Sequence, residues 1–259
     1  MDIHQHREST PPSERPPAAS SVAAAITEQV RQVRAAVDDA CRRSGRSVSD
    51  VRIIAVTKSA DESVLAPLAD NGITDFAENR WPDARAKLEY TSQAFAAPPT
   101  WHFIGRLQLN KVKYVVPRFD WIHSIDSLEL ARAVSKRAVD LGRTLHCLIQ
   151  VNVSGESTKA GVAPHALQSV LKDVAVLPGM VVSGLMTMAP QVDDPEQTRP
   201  VFRALRTLLV EARNTLSLAS LRELSMGMSN DFPVAVEEGA TMIRVGRRLV
   251  NIPRSEDAE

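Results

Sequence analysis

The sequence predicts a single closed (β/α)8 barrel of the TIM type, an α/β fold. Three features predict it. Short apolar or β-branched runs alternate with longer helical patterns from about residue 50 onward. The alternation repeats eight times in about 200 residues. No dinucleotide-type glycine fingerprint follows the first run, which favours closure over an open doubly wound sheet.

The elements follow in order. The opening "MDIHQHRESTPPSERPPAASS" is polar and proline-rich without an apolar signal core, so residues 1–20 read as a disordered tail. An amphipathic helix comes next. Val22, Ile26, Val30, Val33, Val37 and Cys41 recur at spacings of three and four, with Ser20 or Ser21 placed to cap the start and Gly45 the end. The eight strand runs are "RIIAVT" (52–57), "TDFAE" (74–78), "WHFIG" (101–105), "WIHSI" (121–125), "LHCLIQVNV" (145–153), "MVVSGLMTM" (180–188), "LRELSMG" (221–227) and "TMIRVG" (241–246). Helical stretches such as 127–142 and 196–216 separate them. The barrel is expected over residues 21–252, with a polar C-terminal tail at 253–259 and no domain boundary after residue 50.

Composition narrows the function classes. With 31 basic and 31 acidic residues the net charge is zero, which supplies no electrostatic attraction to nucleic acid or an anionic membrane. No apolar run approaches the ~20 residues of a membrane span. Cys41 and Cys147 lack CxxC spacing and read as small buried hydrophobes suited to a reducing cytoplasm. His4 and His6 fall in the tail, and Asp75 and Asp126 have no partner at metal-ligand spacing, so no metal is expected.

One residue resists the pattern. The first strand is apolar, yet Lys58 stands at its carboxyl end, the face on which such barrels build their sites. A solvated strand end is the simplest account. The loops after strands seven and eight suggest another. "LSMGMSND" offers Ser225, Gly227 and Ser229, and "IRVGRR" offers Gly246 where backbone could approach an anion; these are the usual phosphate loops of the fold. An amine in a partly apolar mouth falls in pKa from about 10.4 and condenses with an aldehyde as a Schiff base. Lysine and phosphate cradle together fit pyridoxal 5'-phosphate. Arg244, inside an apolar run, points either into the mouth, toward the ring nitrogen, or outward as a salt-bridged rim residue. His102 and His123 read as core histidines satisfied by hydrogen bonds, and Trp101 and Trp121 as packing at the barrel wall.

"IIAVTK", "WHFIGRLQLNK", "IHSIDS", "QVNVSGESTKAGV", "GLMTMAP" and "LSMGMSNDFPVAVEEGATMIRVG" together resemble the pyridoxal phosphate homeostasis proteins, in the same order over about residues 25–246. The resemblance implies an alanine racemase-like barrel (the type III pyridoxal phosphate fold) that binds the cofactor covalently, without established turnover, to balance vitamin B6. It assigns Lys58 to the Schiff base and Asn79 to the ring's flank. Ser225 and Met226 fall in the loop after strand seven, Arg244 near the ring nitrogen, and Gly246 with Arg247 at the phosphate. The chain departs from the family at Ala77, Arg80, Arg106, Leu109 and Arg247, the last standing where a small hydroxyl residue is usual.

A racemase-like enzyme is the main alternative. Racemisation needs an acid/base group on each face of the substrate carbon. The only tyrosines, Tyr90 and Tyr114, lie in helical connections, and no second domain follows the eighth strand. An aldolase using Lys58 without cofactor is a more remote alternative. The expected protein is a cytoplasmic monomer whose partners are the cofactor and apo-enzymes that use it.

Overall fold

The computed structural model describes residues 18–156 and 160–251, and it is a closed barrel of eight parallel strands in sequence order. The expectations for residues 1–17 and 253–259 lie outside the described residues. Helix α1 (Ala18–Ser44) begins inside the stretch assigned to the tail, ahead of the expected serine cap. It ends as expected at Gly45, whose φ of 67° suits a left-handed helix stop.

The strands are β1 (Arg52–Val56), β2 (Asp75–Glu78), β3 (Thr100–Phe103), β4 (Trp121–Ile125), β5 (Leu145–Gln150), β6 (Met180–Met186), β7 (Glu223–Ser225) and β8 (Met242–Val245). Each falls within, or within a residue of, its expected run. The helices between them are α2 (Leu65–Asp70), α3 (Trp81–Ala94), α4 (Val112–Val115), α5 (Leu128–Asp140), α6 (Leu167–Ala175), α7 (Arg199–Leu216) and α8 (Phe232–Glu237), with α9 (Arg247–Val250) after β8. Local chemistry sets several boundaries. The Ser127 hydroxyl accepts from the Leu130 amide at the start of α5, and proline occupies the first turn of α3, α7 and α8, where its missing N–H costs nothing.

Closure divides the core in two. Side chains alternate along each strand, so one set faces outward and the next faces the lumen. The outward set, including Phe76, Ile122, Cys147 and Ile243, packs beneath the helices in one large core. The lumen set is small: Ile54, Val56, Ala77, Trp121, Leu148, Met186 and Met242, with Ile104 beside them. Trp121 therefore lies inside the barrel rather than in its wall, because β4 presents it on the inner face; Trp101 faces outward as expected. Among the described residues no helix is long and apolar enough to cross a membrane.

Helix α1 is extra to the βα rhythm. It packs on α2, α8 and α9 through the predicted stripe, and Ile26 is fully buried. Ile26→Ala should cost about 2–5 kcal/mol in urea unfolding. A cost below about 1 kcal/mol would mean that α1 is not an integral part of the barrel's core.

Candidate functional site

Lys58 lies two residues past the carboxyl end of β1, in a turn that begins after Thr57. Ile54 and Val56 point into the lumen, and Lys58 stands just past the carboxyl end of the same strand, where it is exposed. Asn79 repeats the geometry on the next strand, two residues after inward-facing Ala77, and is half-buried. The loops after β2 and β3 touch closely here. A Cβ added at Gly105 would lie 2.0 Å from the Asn79 carbonyl oxygen, so only glycine lets the two backbones meet.

A buried clamp holds the strand end that presents Lys58. Thr57 Oγ1 donates to Glu78 Oε1 at 2.7 Å. Lys87 Nζ, from α3, donates to that same oxygen at 2.7 Å and to the Thr57 carbonyl at 2.6 Å. All three side chains are buried. Two further elements, β2 and α3, therefore converge on the residue before Lys58.

Beneath the mouth, polar groups cross the lumen in single file. Asp75 Oδ1 meets His102 Nε2 at 2.9 Å, His102 Nδ1 meets His123 Nε2 at 2.9 Å, and His123 Nδ1 meets Ser225 Oγ at 2.8 Å. Arg244 Nη1 donates to Ser225 Oγ at 2.6 Å, and Nη2 to the Thr187 carbonyl at 3.0 Å. Both histidines are fully buried, as their reading as hydrogen-bonded core residues requires. Burial pushes the pKa of both imidazoles below the ordinary histidine range, His123 furthest, since no carboxylate touches it. Burial alone would raise the pKa of Asp75, but hydrogen bonds from His102 and Thr74, with the charge of Arg52, carry it below the usual carboxylate value. Arg244 is pushed down to about 10 by burial, opposed only by the field of Asp231. Among the described residues it has no carboxylate at salt-bridge distance. Of the two orientations open to Arg244, the lumen is the one adopted.

The loops after β7 and β8 complete the mouth. Gly227, at φ 89°, turns the first loop back so tightly that an added Cβ would lie 2.6 Å from the Ala235 Cβ. Met228 N donates to Asp231 Oδ1 at 2.6 Å and closes the turn into α8. After β8, Gly246 packs against Val56 and leaves the position between β8 and β1 without a side chain. Arg247 and Arg248 open α9, and the Leu249 and Val250 amides donate to the Gly246 carbonyl at 2.7 and 3.1 Å. The side chain of Arg247 is exposed at the rim.

The expected residues thus divide. Lys58, Asn79, Arg244 and Gly246 lie at or directly beneath one mouth. Ser225 lies beneath it too, but its hydroxyl is committed inward between His123 and Arg244, which leaves it nothing to donate to a ligand phosphate. The Met226 side chain is buried in the outer core and faces away from the lumen, so only its backbone belongs to the loop. The site suits an anionic aromatic aldehyde: an exposed amine at the mouth, a buried cation below, and a glycine between β8 and β1 that leaves the backbone open. Lys87, Glu78 and Asp75 are site residues without a sequence motif. Their one signal was two carboxylates inside a short strand enclosed by helices.

Comparison with known proteins was made against this geometry. Residues 24–251 match the family described as the alanine racemase N-terminal domain. A pyridoxal phosphate homeostasis protein of Aquifex aeolicus is 40% identical over 222 residues, 86% of this chain and 96% of that protein. One of Pseudomonas aeruginosa is 34% identical over 224 residues, 86% and 94% of the two chains. PipY of Synechococcus elongatus, solved with PLP bound, is similar at a TM-score of 0.75 and 35% identity, over 87% of this chain and 99% of that one. Alanine racemase of Corynebacterium glutamicum, at 16% identity and a TM-score of 0.68 over 89% of this chain and 62% of its own, shares the fold.

Two outcomes follow from the buried polar groups. Lys87→Met leaves Glu78 buried without its cation and should cost about 3–5 kcal/mol in urea unfolding, with a Lys87→Met/Glu78→Leu pair recovering most of it; equal losses in both variants would refute the clamp. The histidine linkage has a definite sign. Unfolded imidazoles take up protons below about pH 6.5 while the buried ones resist, so the unfolded state binds more protons and stability falls as pH drops from 7 to 5. His123→Gln should make that fall shallower, and an unchanged slope would place its source elsewhere.

Proposed function

Because the chain belongs to the alanine racemase N-terminal domain family, and within it to the pyridoxal phosphate homeostasis proteins, we propose that it holds pyridoxal 5'-phosphate through Lys58 and serves vitamin B6 homeostasis without efficient turnover. The observation that supports this best is the pairing of an amine past the carboxyl end of β1 with a buried arginine on β8 that has no carboxylate at salt-bridge distance among the described residues. The cofactor supplies an aldehyde that condenses reversibly with a neutral primary amine, with loss of water.

The chain's residues would act as follows. Lys58 offers the amine and is kept at the rim by the Thr57–Glu78–Lys87 clamp. Asn79 flanks the ring from β2. The backbone at Gly246 and Arg247 takes the phosphate, where the side-chain-free Gly246 lets an anion approach the start of α9. Arg244 donates toward the ring nitrogen. A fixed cation there opposes protonation of that nitrogen and weakens the ring as an electron sink. That favours holding the cofactor over demanding carbanion chemistry.

The tyrosines point the same way. Racemisation needs a second acid/base group opposite the lysine. Tyr90 lies in α3, and Tyr114 lies in α4 stacked on Trp81 with ring centroids 6.2 Å apart. Neither is on a barrel strand. The protein acts as a cytoplasmic monomer that passes or buffers the cofactor for apo-enzymes.

Titration with pyridoxal 5'-phosphate should produce a visible absorbance band that borohydride bleaches and that Lys58→Ala lacks. Absence of the band in the wild type refutes the assignment. Racemisation of L-alanine near an ordinary enzyme rate, about 10 per second, would replace the holder with the racemase alternative. Transfer of the cofactor to an apo-enzyme separates delivery from storage.

A further inference from the structure

We infer that Asp75, His102, His123 and Ser225 form a one-way positioning relay, running from the amino-terminal pole of the barrel to Arg244, that fixes the guanidinium beneath the mouth. The relay deepens the proposed function, in which Arg244 faces the cofactor ring, but it is a property of the chain alone.

The two ends of the file set its direction. Asp75 is the first residue of β2 and lines a 530 Å³ cavity with Val48, Val51, Arg52 and Thr74, residues that precede or begin the first two strands. Arg244 lies near the carboxyl end of β8, and its partners Ser225 and Thr187 end or follow their strands. An ionised carboxylate only accepts hydrogen bonds, and a guanidinium only donates them. Between them stand two buried imidazoles, and a neutral imidazole has one donor and one acceptor.

Only one proton pattern then satisfies every contact. His102 carries its proton on Nε2 and donates to Asp75. Its Nδ1 accepts from His123 Nε2–H. The Nδ1 of His123 accepts from the Ser225 hydroxyl. Ser225 Oγ is left with its lone pairs toward Arg244 Nη1–H. Both histidines are Nε2–H tautomers, and every donor along the file points toward Asp75. The downward pKa shifts of both imidazoles agree with their neutral state.

The pattern acts on Arg244 in two ways. It holds one edge of the guanidinium against an oxygen that cannot turn its proton inward, while the Thr187 carbonyl holds another. It also aligns the bond dipoles with their negative ends toward the cation, which Arg244 needs in the absence of a carboxylate partner. Arg244 can present only donors, so a ring above it must offer an unprotonated nitrogen.

Histidine-selective 15N labelling with long-range proton–nitrogen correlation reads the tautomers directly, without cofactor. The expected result is a neutral Nε2–H form at both positions 102 and 123; an Nδ1–H form at either, or a protonated ring at neutral pH, overturns the relay. Asp75→Asn should shift His102 toward Nδ1–H, because an amide can donate where the carboxylate could only accept. It should also weaken cofactor binding about tenfold, the loss expected when one hydrogen bond to a charged group is disturbed. Asp75→Glu should restore both readouts. If Asp75→Asn fails to fold by circular dichroism, Ser225→Ala cuts the file at the other end and should mix the His123 tautomers and weaken binding likewise. Unchanged tautomers and affinity in a folded variant defeat the proposal. A wild type that binds no cofactor defeats the assigned function instead, and the tautomers still decide the relay.

Discussion

Strand alternation inside a closed barrel governs everything at the mouth. Once eight parallel strands close, alternate residues must face a lumen of fixed, small cross-section. Ile54 and Val56 follow from that rule on β1, as do Met242 and Arg244 on β8, and Lys58 and Gly246 stand just past the ends of those strands. The register pairs Ile54 with Arg244 and Ala55 with Val245, so the two sequences rise side by side. A lysine and an arginine far apart in the chain become neighbours of one mouth without any contact between them being required.

The same rule makes the lumen costly. A purely apolar filling would be stabler than one containing an aspartate, two histidines and an arginine, because each buried polar group must be fully hydrogen-bonded to avoid a penalty. The file from Asp75 to Arg244 meets that condition at every link. Outside the lumen, the Thr57–Glu78–Lys87 clamp does less well: Glu78 Oε2 is buried without a partner. The imperfect cluster lies where β1 ends and Lys58 begins. Stability is given up where a strand end must be held in place.

Much of this could be read from the chain, and for identifiable reasons. The eight strands were legible because each is a short β-branched run bounded by turn residues, and buried parallel strands leave that signal strongly. Lys58 was legible as a charge ending an apolar run. The polar file was not. Its members lie on β2, β3, β4, β7 and β8, and hydrogen bonds across a lumen have no sequence spacing. His102 and His123 could be read singly as satisfied core residues, but not as each other's partners. Met226 and Ser225 were legible as loop residues, yet alternation sends one side chain outward and commits the other inward. Trp121 was misplaced in the wall for the same reason: a tryptophan's size says nothing about which face of a strand carries it.

The family motifs and the departures from them separate along the same boundary. Arg80, Arg106, Leu109 and Arg247 all stand where the motifs carry other residues, and all four are exposed. Ala77 is the exception, a fully buried lumen residue. Changes at the rim cost little, because an exposed side chain has no packing to lose. A change within the file would strand a buried donor or acceptor and lose the tautomer that its neighbour depends on. The lumen holds the buried polar file, while the three arginines at the rim add charge to the face that an approaching molecule meets. Substitution at the rim and substitution in the lumen therefore carry different structural costs in this barrel.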